Sequence, residues 1–225
     1  MKKIKGHIGI VIAGSMAFIF LILSGCGGFG GRYKIEKTAA DTIPASGKFA
    51  VNVRIVLKPE LCGYTYVSKR QGAKRVYELG DALCTSTRNL FTAQFTNVMV
   101  VSNDDEGKDA DFDATVIPQV VDTSVLVRPG FPPNFEATII YECSMVDKNN
   151  RTIFLRTINE DKVYEGYGHK GYGIVMQQAV DELFNRLGSE VALSPEIKRF
   201  AGSIKGTELR LPIRQGDGNL RAPMQ

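Results

Sequence analysis

Residues 135–146 place an apolar side chain at every second position, a second strand-like arm follows over 152–163 through the polar turn Asp147-Lys148-Asn149-Asn150, and no other feature limits the fold as much. A period of two sends every second side chain to one sheet face, and so short a polar connection allows only an antiparallel return. In the first arm Phe135, Ala137, Ile139, Tyr141, Cys143 and Met145 share a face. Two stretches at helical period supply a cover for it. Leu79, Leu83, Thr87, Leu90, Phe91 and Val98 lie on one side of a helix expected over 80–97. Met176, Ala179, Val180, Leu183, Phe184, Leu187 and Val191 form the stripe of a second, expected over 174–193.

The remaining elements are shorter. Phe49, Val51, Val53, Ile55 and Leu57 alternate in a strand that Pro59 ends, and 98–101 is a short buried strand. A further strand spans 112–121, where Pro118 points to an edge or a bulge. Residues 60–78 read as irregular or as a small hairpin, with Tyr64, Tyr66 and Tyr77 as packing aromatics. Ser194 offers an N-cap with Pro195 at the first helical position, opening a short third helix through Ile197 and Phe200. The expected order is β-α-β-β-β-β-α-α. The class is α/β in the sense of an α+β sandwich, a mixed and mostly antiparallel sheet of about five strands with two main helices on one face. One domain is expected over 48–201, with a loose tail over 202–225.

The N-terminal segment fixes the compartment. Lys2, Lys3 and Lys5 precede an apolar run from Ile8 to Leu23, and Ser24 and Gly25 are small residues of the kind that precede a cleavage point. The run ends at Leu23-Ser24-Gly25-Cys26, which resembles the lipobox of bacterial lipoproteins. That resemblance implies removal of residues 1–25, diacylglycerol on the Cys26 thiol and acylation of the new amino terminus. Several acyl chains hold a domain on a bilayer stably where one chain does not. The alternative is an uncleaved transmembrane helix, but the run is short for a span and carries Gly9, Gly14 and Ser15. Gly27-Gly28-Phe29-Gly30-Gly31 and the polar residues after it read as a flexible tether over 26–47. By the same resemblance, the absence of an aspartate after Cys26 points to the outer membrane facing the periplasm rather than the inner membrane.

Cleavage changes the charge. The whole chain is formally +4, but residues 1–25 hold three lysines and no acid, so the mature side chains sum to +1. With no basic arm left and export implied, nucleic acid is not an expected partner. Of four cysteines, Cys26 is taken by lipid. Cys62 and Cys84 are placed to form a disulfide, a possibility suited to an oxidising compartment, while Cys143 reads as a small buried hydrophobe.

Sites for chemistry are excluded one by one. Six acids fall within 102–113, but Asp104-Asp105-Glu106-Gly107 lacks the ligand order of a calcium loop, so a solvated acidic loop is expected and no metal. Gly166-Tyr167-Gly168-His169-Lys170-Gly171 is a literal G-x-G-x-x-G. It follows an antiparallel hairpin rather than opening a β-α-β unit, so no nucleotide or other cofactor is expected. His169 is the one histidine left after cleavage, which leaves little from which to build a nucleophilic triad. Glu136 and Glu142 share a strand face about 20 Å apart, too far for paired-carboxylate glycoside hydrolysis.

The stretch from about 110 onward resembles the YajG-like envelope lipoproteins. The likeness lies in the long hairpin, Tyr164-Glu165-Gly166 after its second arm, the amphipathic helix, and the terminal helix ending Ile197-Lys198-Arg199-Phe200. The Tyr-rich segment 60–78, the proline-rich loop and the tail depart from it. A broader likeness is to the small α/β lipoproteins that help assemble lipopolysaccharide. The resemblance implies a non-enzymatic lipoprotein that binds or assembles in the cell envelope. Alternatives are a periplasmic hydrolase of envelope polymers and a lipopolysaccharide-transport accessory. The expected partners are the membrane, through the acyl chains, and an envelope protein or glycolipid. Candidate contact residues are Arg128 and Phe131 in Arg128-Pro129-Gly130-Phe131-Pro132-Pro133, with Tyr164, Tyr167, His169, Lys170 and Tyr172 around the glycines. Rigid aromatics beside cations are common interface anchors. The competing reading makes Phe131 a lid on the core and the tyrosines a cover for the sheet edge.

Overall fold

The structure, a computed structural model, describes residues 30–38, 47–68, 73–106 and 111–208. The leader, Cys26 and residues 209–225 lie outside the described residues. The elements are β1 (Gly31–Lys34), β2 (Phe49–Val56), α1 (Pro59–Cys62), β3 (Thr65–Ser68), β4 (Arg75–Glu78) and α2 (Gly80–Gln94). They continue with β5 (Phe95–Val101), β6 (Ala114–Arg128), β7 (Asn134–Asp147), β8 (Thr152–Glu165), α3 (Lys170–Leu193) and α4 (Pro195–Glu208).

The main sheet has five strands in the order β5-β2-β6-β7-β8. β2 runs parallel to both β5 and β6, whereas the longest pairings, β6 with β7 and β7 with β8, are antiparallel. Along β7 the side chains of Phe135, Ala137, Ile139, Tyr141, Cys143 and Met145 are all buried, as their alternation predicts. Both main helices cover that face. The Thr87 hydroxyl of α2 lies 2.7 Å from the Tyr141 hydroxyl, and Phe184 of α3 packs against the Tyr141 ring at 5.8 Å. The expected fold class is therefore the observed one. Ser194 caps α4, its Oγ accepting from Ile197 N at 3.1 Å and donating to Glu196 Oε2 at 2.7 Å.

Several boundaries differ from expectation, for physical reasons. The segment read as a tether contains β1, which pairs in parallel with β4, and buries Ile35 and Thr38. Four residues after a glycine run are too few to show a period, yet Tyr33 stacks on Tyr77 at 5.1 Å and holds the strand in place. The region 60–78 forms α1, β3 and β4, and with β1 makes a second sheet of order β1-β4-β3. β6 extends to Arg128 because a bulge between Val120 and Asp122 reverses the alternation and hides its second half. Pro118 sits just beyond the last β2 pairing, at Val116, where its missing N–H costs β6 no bond to β2. α3 starts four residues earlier than its stripe suggests, and α4 continues through Glu208, into the segment read as tail.

A disulfide joins Cys62 at the end of α1 to Cys84 near the start of α2, and Cys143 is free and buried. β8 ends the sheet, and a run of ion pairs ties it to α3 and α4. Arg156 meets Glu190 at 3.0 Å and Glu196 at 3.4 Å, and Arg186 meets Glu160 at 3.2 Å.

Candidate binding surface

The β6–β7 turn and the β8–α3 connection lie side by side at one end of the sheet, since Asn134 of β7 is the register partner of both Arg128 and Glu165. Pro129, Pro132 and Pro133 remove three backbone donors from the turn, so Phe131 has no strand neighbours to pack on. The Phe131–Pro132 bond is cis. Gly166 N donates to Pro133 O at 3.2 Å, tying the second segment to the first. Gly168 then takes φ +83, a conformation glycine adopts freely, and the chain turns into α3. Gly171 explains the last glycine of the G-x-G-x-x-G run: an added Cβ would stand 2.6 Å from the Phe135 ring. The run serves a tight entry into a helix packed against β7.

The sequence candidates separate into two groups. Phe131 is 94% exposed and Tyr167 is 62% exposed, with their rings edge to face at 5.5 Å. Phe131 is thus not a lid on the core. Arg128, His169 and Lys170 are also exposed around this pair, Arg128 being ion-paired with Glu136. Tyr172 and Tyr164 instead pack inward. Tyr172 is only 8% exposed and packs edge to face on Phe135 at 4.8 Å, while Tyr164 is half-buried against the same ring at 6.2 Å. One turn into α3, Tyr172 faces inward, and the glycines beside it in sequence conceal that periodicity.

Behind the tip runs a column of rings that sequence reading did not connect. Tyr172 lies 6.0 Å from Tyr33, which stacks on Tyr77, which in turn lies 5.8 Å from Tyr66. The Arg75 guanidinium sits over the Tyr172 ring at 4.1 Å. Burial raises the Tyr33 hydroxyl above its usual value and pushes that of Tyr77 well above the phenol range, so both remain neutral. The column joins the small sheet, and with it the start of β1, to the tip.

Other groups that could carry chemistry are separately engaged. Glu136 pairs with Arg128, while the Glu142 carboxylate accepts from Gln119 Nε2 at 2.6 Å and Thr157 Oγ1 at 3.4 Å. Burial pushes the Cys143 thiol up to about 12, which suppresses thiolate chemistry there. In the acidic loop, Ser102 N and Oγ both donate to the Glu106 carboxylate, and the Arg54 guanidinium donates to the Asp104 and Glu106 carbonyls. These bonds tie residues 102–106 to Arg54 of β2. Among the described residues no group of three or more His, Cys, Asp or Glu side chains is placed to hold a metal ion. A cleft of about 460 Å³ lies between α1 and β6, lined by Lys58, Leu61, Tyr64 and Pro118, with Glu60 and Gln119 at its sides. Among the described residues, no helix is long and apolar enough to cross a membrane.

No protein-family model and no curated protein sequence matches the chain. Among solved structures it is similar to the minor lipoprotein from Acinetobacter baumannii, at 12% identity and TM-score 0.38, over 63% of this chain and 91% of that one. A Caulobacter crescentus protein described as a lipoprotein aligns at 10% identity and TM-score 0.34, over 57% of this chain and 84% of that one. The protein XCC0632 from Xanthomonas campestris, of family DUF330, aligns at 11% identity and TM-score 0.52, over 78% of this chain and 98% of its own. At that identity the likeness establishes shared architecture: the chain has the fold of this DUF330 protein across nearly the whole of the latter's length.

Proposed function

We propose that this chain is a bacterial envelope lipoprotein, anchored through acyl groups on Cys26, whose domain binds or assembles envelope components without catalysing a reaction. The observation that carries the reading is Leu23-Ser24-Gly25-Cys26 at the end of a short apolar run, a few residues before the folded domain begins at β1. The Cys62–Cys84 disulfide supports it, since such bonds persist in oxidising compartments such as the periplasm. The exposed Phe131–Tyr167 pair, flanked by Arg128 and Lys170, supplies a binding surface. On this reading the acyl chains anchor the domain, and Gly27 in place of an aspartate after Cys26 directs it to the outer membrane, facing the periplasm. Metabolic labelling with a fatty acid tests the reading. The natural chain should incorporate label, whereas Cys26→Ala should remain unlabelled as full-length precursor. A Cys26→Ala variant that labels and matures normally contradicts it.

A further inference from the structure

We infer that the Phe131–Tyr167 end of the domain rests against the bilayer that holds its own anchor, with both rings at the depth of the lipid headgroups. The inference rests on the anchor proposed at Cys26. The geometry at the start of β1 gives it direction. Gly31 is the register partner of Arg75, whose guanidinium lies over Tyr172 in the first turn of α3. From there β1 runs along α3 in the same sense. Tyr33 lies beside Tyr172 and Gly173, the Glu36 N–H donates to Gln177 at 2.8 Å, and Thr38 reaches Asp181 at 3.0 Å. Traced backward, the chain enters the domain at the N-terminal end of α3, the end that carries Phe131 and Tyr167.

Four residue steps separate Cys26 from Gly30, a reach of at most about 14 Å even when fully extended. A domain lipidated at Cys26 is therefore tethered by its aromatic end, with little room for a soluble partner between that end and the membrane. The chemistry of the end suits a lipid surface. Phe131 is almost wholly exposed in a proline-stiffened turn, so inserting it costs little ordering. Tyr167 combines an apolar ring with a polar tip, the type of side chain that settles at a membrane interface. Arg128, Lys170 and Lys74 are exposed at the same end, beside Glu165, and the cations suit anionic headgroups.

The chain contains no tryptophan, so one substitution makes a unique depth probe. Lipidated Phe131→Trp and Tyr167→Trp proteins would be reconstituted into vesicles of phosphatidylethanolamine and phosphatidylglycerol, with and without brominated acyl chains. The control is Asn149→Trp, at the exposed far turn of β7, about 45 Å of strand away from the tip. The expected result is a blue shift and loss of emission for the two tip probes in brominated vesicles, with the control unchanged. Two results overturn the inference while leaving the anchor intact. One is vesicle-bound protein whose tip probes keep a water-like, unquenched emission, as they would if a protein partner took this surface. The other is equal quenching of tip and control. Failure of the processed proteins to associate with vesicles at all overturns the anchor reading and this inference together.

Discussion

Removing the Cys62–Cys84 bond should cost the domain about 3 kcal/mol. The bond closes a loop with a sequence separation of 22, and that loop contains β3 and β4 entire. In the chain-entropy treatment a loop of this length restricts the unfolded ensemble by about 11 cal/mol/K, or about 3 kcal/mol near 25 °C. The small sheet would then be held by its ring contacts and hydrogen bonds alone. For a domain of this size the loss corresponds to a fall of about 6–12 °C in the thermal midpoint. The perturbation is Cys62→Ser with Cys84→Ser, followed by urea unfolding and by heat. The urea m-value should rise, because an unlinked chain exposes more surface when it unfolds. Reductant should lower the midpoint of the natural protein toward that of the double variant and leave the variant unmoved. A loss below about 1 kcal/mol, or equal sensitivity of both proteins to reductant, would refute the entropic argument.

Gly80→Ala should destabilise by about 1–3 kcal/mol, because its Cβ would stand 2.2 Å from Cys62 O and 2.5 Å from Tyr64 N, backbone atoms that cannot yield. Gly202→Ala, on α4 with nothing within 4 Å, should instead stabilise by about 0.5–1 kcal/mol, and urea midpoints for the two variants check the opposite signs. Cys143 should resist alkylation in the folded protein and label only on unfolding, as mass spectrometry after native and denaturing treatment would show. The Asp147 carboxyl is held below its usual value first by the Arg151 N–H and next by that of Asn149, both 2.8 Å from Oδ1. A lowered folded value means that the contribution to the β7–β8 turn is present above about pH 4 and is lost as pH falls through the folded value. An NMR titration should find the Asp147 midpoint below the ordinary carboxylate range, and a midpoint at or above that range would count against the turn geometry.

How much could be seen in the sequence depended on element length. Along β7 an apolar side chain stands at every second position from Phe135 to Met145, and these six buried positions were legible one by one. The stripes of α2 and α3 were equally plain, since their buried side chains recur every three or four residues. β1, β3 and β4 have four residues each, too few for a period, and are held by contacts such as Tyr33 on Tyr77 that no local pattern announces. β6 was readable only to its bulge, beyond which Thr123, Val125 and Val127 take the inward positions with the opposite parity. At the tip, composition identified the aromatic cluster but not which rings face outward. Tyr167 and Tyr172 both lie among glycines, and their difference in burial arises because only Tyr172 falls inside α3, on the side that meets Phe135. The proximity of the β1 entrance to that tip has no local signature, because it depends on parallel pairing with β4, more than forty residues away in sequence.

The mass of the N-terminal peptide, measured on protein purified from the membrane fraction of its native host, tests the account at its centre. The account predicts a peptide that begins at Cys26, carrying diacylglycerol on the thiol and an acyl group on the new amino terminus. A chain that still begins at Met1, or one cleaved before an unmodified Cys26, would contradict it.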